Sequence, residues 1–110
     1  RRLAAAALIL GVVAFMGTGI SWAEKSHLVE ATEHTQAAIE HGKAGHADVL
    51  VTHATAALQH TEAAEKAKAN PHTAAAIKEL KGAVEHGKAG HADVAAKAAE
   101  GALTHLKAVK

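Results

Sequence analysis

The chain has 110 residues, 49% of them hydrophobic, with 12 Lys plus Arg against 11 Asp plus Glu and no Cys. That length suits one domain, the near-neutral balance gives no basic surface for nucleic acid, and the absent Cys excludes disulfides and thiolate metal sites. Ten His stand beside no Tyr, one Phe and one Trp, an excess that needs a chemical reason.

In chain order, residues 1–23 come first. Arg1 and Arg2 precede an apolar run from Leu3 to Met16, and the segment closes on the small residues Ser21 and Ala23. This is the pattern of a secretory signal peptide cleaved after Ala23, with an uncleaved anchor as the alternative. The run is shorter than the roughly 20 residues of a spanning helix, so no membrane association is expected once the signal is removed. Sec and twin-arginine export both remain open, and either leads out of the cytoplasm. The remaining domain, residues 24–110, holds all ten His and carries 10 Lys against 11 acidic residues. Phe15 and Trp22 both lie in the signal, which leaves Ala, Leu, Val and Ile to build the core.

Four helices are expected near 26–41, 46–68, 71–86 and 91–108. Ala, Glu, Lys and Leu dominate these segments, with no interior Pro and no β-branched run of strand type. The core faces read as Leu28, Ala31, Thr35, Ala38 and Ile39 in the first, and Leu50, Ala54, Ala57, Leu58 and Thr61 in the second. Ile77, Leu80 and Val84 serve the third, and Val94, Ala99, Ala102 and Leu106 the fourth. Gly42-Lys43-Ala44-Gly45 and Gly87-Lys88-Ala89-Gly90 interrupt the pattern. The first Gly of each is expected to end its helix in the left-handed conformation, and the second to let the next begin. Asp48 and Asp93 then fall where a carboxylate complements the helix dipole. Asn70 is the expected N-cap of the third helix, with Pro71 at its first position. Short turns make consecutive helices antiparallel neighbours, so the fold class is all-α, an up-down-up-down four-helix bundle, and the expected state is a monomer.

An internal duplication underlies this order. At an offset of 45, residues 27–65 and 72–110 match at 18 of 39 positions, and the decapeptide EHGKAGHADV recurs unchanged at Glu40–Val49 and Glu85–Val94. Each repeat is a helical hairpin, and each hairpin needs the other to bury its apolar stripe.

The histidines follow a heptad. His27, His34 and His41 lie seven apart, as do His46, His53 and His60, while His72 with His86 and His91 with His105 lie fourteen apart. With Leu28 and Thr35 at position a, the first three occupy g, beside the core seam and reachable from solvent. Residues seven apart on one helix are about 10.5 Å apart, too far to share an ion, so each His needs a partner from the other helix. An antiparallel hairpin about each turn sets His27 opposite His60, His34 opposite His53, and His41 opposite His46. In the second repeat it sets His72 opposite His105 and His86 opposite His91, with Glu79 and Ala98 in the middle. Paired imidazoles without thiolate suit Cu(II) first, and Ni(II) or Zn(II) after it, so the expected partners are metal ions. Glu40, Asp48, Glu85 and Asp93 are the candidate third ligands. Two His and water make an open, exchangeable site rather than a closed structural one.

The exported precursor, the heptad-spaced His, the doubled EHGKAGH turn and the Asn-Pro-His linker resemble the small metal-binding protein family over residues 24–110. The resemblance implies a periplasmic four-helix bundle that binds copper and other divalent metals reversibly, in copper buffering or tolerance. It assigns the metal-binding role to His27, His34, His41, His46, His53, His60, His72, His86, His91 and His105. Glu79 and Ala98 depart from the duplicated pattern, and fewer sites are expected in the second repeat.

Other functions fit less well. No His-Glu-x-x-His is present, and of the two Glu-x-x-His motifs a di-iron bundle needs only Glu24 to His27 matches, so no enzyme is expected. Bis-His haem binding requires His inside the core. The rival from another class is a pH-responsive interaction module driven by ten titrating imidazoles. It differs from a metal binder in showing no saturable uptake of Cu(II).

Overall fold

The structure, a computed structural model, describes residues 22–110. It is a bundle of four helices: α1 Trp22–Lys43, α2 Ala47–Ala67, α3 Pro71–Lys88 and α4 Ala92–Lys107. The expected segments agree with these to within a few residues. The signal-peptide reading of residues 1–23 lies outside the described residues except for Trp22 and Ala23, which open α1. Each helix packs on its two neighbours in a ring, with α2 and α4 touching lightly across the diagonal. No helix among the described residues is long and apolar enough to cross a membrane.

The two decapeptides build the same turn. His41 ends the regular carbonyl ladder of α1, and its carbonyl accepts from the backbone N–H of His46 at 2.8 Å, while the N–H of Gly45 reaches the carbonyl of Gly42 at 3.0 Å. The second copy repeats both bonds, His91 to His86 at 2.9 Å and Gly90 to Gly87 at 3.0 Å. This is the Schellman arrangement, in which the residue two past the helix end bonds back across a left-handed residue. That left-handed residue is the second glycine, Gly45 at φ 87° or Gly90 at φ 86°, and not the first. The first glycines are helical and buried for a different reason. A Cβ on Gly42 would lie 2.5 Å from Leu50 Cδ1 and 2.9 Å from Ala96 Cβ, and one on Gly87 would lie 2.5 Å from Val51 Cγ2. Close helix approach, not helix termination, is what they supply. His46 and His91 fall at the N-cap positions of α2 and α4 with no capping bond from their side chains.

At the other end of the bundle the α2–α3 connection is pinned. Asn70 is extended and its side chain accepts from His72 N at 2.7 Å, with Pro71 next to it at the helix start. Glu65 Oε1 accepts from the Asn70 N–H at 3.1 Å and from the Thr73 hydroxyl.

The core is made of small residues. Toward the glycine turns it comprises Ala38, Ile39, Leu50, Ala54, Ala83, Ala95, Ala96 and Ala99, and toward the α2–α3 connection Ala31, Ala57, Ala76, Leu80, Ala102 and Leu106. Leu50 and Leu80 are the large apolar side chains that are fully buried. Buried Thr35 and Thr61 satisfy their hydroxyls on the carbonyls one turn back, Ala31 and Ala57, each at 2.7 Å. Val94, expected in the core, is 43% exposed, and Ala95 and Ala96 take the inward positions. In a helix this rich in Ala the few larger residues do not fix the rotation, because Ala fills a close seam better than Val. Ile77, Val84, Leu28 and Leu58 are half-buried at the margins.

Candidate metal centre

The g positions of α1 and α2 line one groove of the bundle, and those of α3 and α4 line another. In the first groove His27 Nδ1 lies 2.9 Å from His60 Nδ1, and His34 Nδ1 lies 3.2 Å from His53 Nδ1. His41 and His46 close the row beside the turn, with ring centroids 6.1 Å apart. Adjacent rungs also touch. His34 stacks on His60 at 6.0 Å and His41 on His53 at 5.5 Å, each pair within 6° of parallel. The six rings therefore form one continuous ladder, with every ring half-buried except the exposed His46.

In the second groove His72 and His105 place their Nδ1 atoms 3.4 Å apart, and His86 and His91 lie 6.4 Å apart by centroids. All five expected pairs face one another, three with nitrogens in hydrogen-bond range and the two turn pairs, His41 with His46 and His86 with His91, as ring neighbours alone. The middle rung is interrupted, as the sequence indicated, and the Glu79 carboxylate there packs over Gly101, where an added Cβ would lie 3.0 Å from its carboxyl carbon.

In three of the rungs the Nδ1 spacing is that of two nitrogens on one ion. With metal–nitrogen bonds of about 2.0–2.1 Å, two imidazole nitrogens are separated by about 2.9 Å at a right angle and about 3.3 Å at the tetrahedral angle. The three Nδ1 gaps of 2.9, 3.2 and 3.4 Å span that range. Without an ion, each pair is held by one ring donating to the other.

The carboxylate that joins the histidines is Glu30. Its Oε1 lies 3.8 Å from His34 Nε2, and Glu30, His34 and His60 each offer a donor atom within 4.8 Å of the other two. Among the described residues this is the one set of three such donors. The third ligands expected from the sequence are not brought in. Glu40 and Glu85 point to solvent, and Asp48 and Asp93 accept from the backbone N–H of Val49 and Val94 at 2.9 Å, serving their own helix starts. Glu30 was legible in principle, since it stands four residues before His34 and so on the same helix face.

Electrostatics favour the neutral ring at two positions, His53 and His60. Burial, then the neighbouring His34 and His41, pull the His53 pKa below its usual 6.5. Burial and His27 do the same for His60, with Glu30 opposing and His34 adding to the lowering. A neutral imidazole keeps the lone pair that a metal needs.

The family model described as small metal-binding protein matches residues 2–109. The chain belongs to the small metal-binding protein family. No curated protein matches the sequence. Membership and the Glu30, His34 and His60 set agree on metal binding, and the small metal-binding protein fold is seen here to present its His in two grooves, one complete and one interrupted.

Proposed function

We propose that this member of the family binds divalent transition metal reversibly, Cu(II) foremost, and buffers it in the periplasm as a monomer after export. The row of paired imidazoles with Nδ1 gaps of 2.9 to 3.4 Å carries the reading, because nitrogens so placed need little rearrangement to share an ion. Two or three protein donors on a solvent-reached groove leave coordination positions to water, which suits an ion that is taken up and given back. Imidazole and carboxylate without thiolate follow the Irving–Williams order, placing Cu(II) above Ni(II) and Zn(II). Export rests on Arg1, Arg2 and the apolar run from Leu3 to Met16.

Titration of the protein beginning at Glu24 tests this. Cu(II) is expected to saturate at constant pH and to displace Zn(II) at equal concentration. Because ligands from two helices meet only in the fold, Cu(II) at 100 times its dissociation constant adds about 2.7 kcal/mol per site, which raises Tm by about 10–20 °C in a domain of this size. Uptake that never saturates, with an unmoved Tm, would leave the ten His as pH-responsive charges instead.

A further inference from the structure

His34 faces two ways. Its Nδ1 lies 3.2 Å from His53 Nδ1, within its own rung, while its Nε2 lies 3.8 Å from Glu30 Oε1, toward the neighbouring rung. His60 is likewise shared. It pairs with His27 at 2.9 Å and also joins Glu30 and His34 in the three-donor set. A neutral imidazole has one nitrogen bearing hydrogen and one bearing a lone pair, so each of these rings serves one ion at a time. An ion held by Glu30, His34 and His60 therefore takes one ring from each of two rungs and leaves His27 and His53 without partners. Three ions held rung by rung instead leave Glu30 outside.

We propose that the first hairpin binds metal in two mutually exclusive registers. The first divalent ion takes the cross-rung site of Glu30, His34 and His60, and further ions displace it into the rungs His27 with His60 and His34 with His53. This deepens the metal-binding reading and rests on it. Three donors, one of them anionic, outbid two neutral donors for a single ion, whereas three rungs together hold more ions than one cross-rung site beside the rung of His41 and His46. Affinity thus falls as the hairpin fills, so that a scarce ion is held and an abundant one is passed on. The second hairpin has no counterpart: the residues equivalent to Glu30 and His34 are Ala75 and Glu79.

Glu30→Gln and His53→Ala separate the registers. Glu30 is half-exposed and Gln matches it in helix propensity, so the variant keeps the fold. In a Cu(II) titration against a chromophoric chelator, Glu30→Gln is expected to weaken the first equivalent by at least the roughly tenfold that loss of a supporting group costs, while the total bound at saturation stays the same. His53→Ala is expected to do the reverse, keeping the first equivalent and lowering the total by one. A saturating parent whose first equivalent is indifferent to Glu30→Gln, or is weakened by His53→Ala as much as by Glu30→Gln, overturns the register exchange alone. A parent that does not saturate overturns the metal-binding reading and this proposal with it.

Discussion

His34 and His53 face each other across α1 and α2 with Nδ1 atoms 3.2 Å apart, while the equivalent positions in the second hairpin hold Glu79 and Ala98. One duplicated scaffold thus presents the same rung twice, once filled by imidazoles and once not. Both helices that carry the filled rung keep their core contacts through other residues, Thr35 and Ala54, which are fully buried next to it in sequence. The rung can therefore be altered without disturbing the seam.

Exchanging the middle rung between the hairpins should move metal capacity with it. His34→Ala with His53→Ala is expected to lower the number of Cu(II) ions bound at saturation, and Glu79→His with Ala98→His to raise it. The turn rung of His86 with His91 should be unaffected, and that of His41 with His46 should keep its place on the backbone Schellman bonds although His41 loses its stack on His53. Circular dichroism should show the helices intact in both variants. Equal stoichiometry in parent and both variants would show that the rungs do not govern uptake.

The arrangement of rungs was legible in the sequence because heptad spacing and an antiparallel turn leave little freedom: once His41 faces His46, the pairs two and four turns away follow. The contacts between rungs were not legible. Whether His34 stacks on His60 depends on ring torsions, and whether Glu30 reaches His34 depends on a choice of rotamer, neither of which residue spacing fixes. The roles of the glycines were reversed for a similar reason. Composition marks Gly42 and Gly45 alike, and only packing shows that Leu50 crowds the first while the left-handed turn needs the second.

That division of labour predicts opposite outcomes for Gly→Ala substitutions. At Gly87 the new methyl would come within 2.5 Å of Val51 Cγ2 and 3.1 Å of Leu50 Cδ2, so overpacking is expected to cost about 1–3 kcal/mol. Gly82, inside α3, has nothing within 4 Å of the added Cβ. Relief of backbone entropy there should stabilise the bundle by about 0.5–1 kcal/mol. Urea unfolding of the two variants beside the parent measures both, and a stabilising Gly87→Ala would contradict the close approach of α3 to α2.

The stability of the metal-free bundle should fall on the acid side, and the ladder should be the cause. His53 and His60 have pKa values below the usual 6.5 in the fold, chiefly through burial and then through neighbouring imidazoles. In the unfolded chain they take up protons near 6.5, so between the two values the unfolded state binds more protons than the native one. Stability from these groups is therefore fully present above about pH 6.5 and is lost as pH falls through the lowered folded values. The stacked neighbours, His41 beside His53 and His34 beside His60, supply part of that lowering by charge repulsion. Melts in EDTA between about pH 5 and 8 should show Tm declining below the imidazole range. His53→Ala with His60→Ala should flatten that decline, since it removes both depressed groups and breaks both stacks. With Cu(II) bound the decline should be steeper than in the metal-free parent, because each ligand must be neutral and protons compete directly with the ion. A double variant as acid-sensitive as the parent would place the acid sensitivity outside His53 and His60.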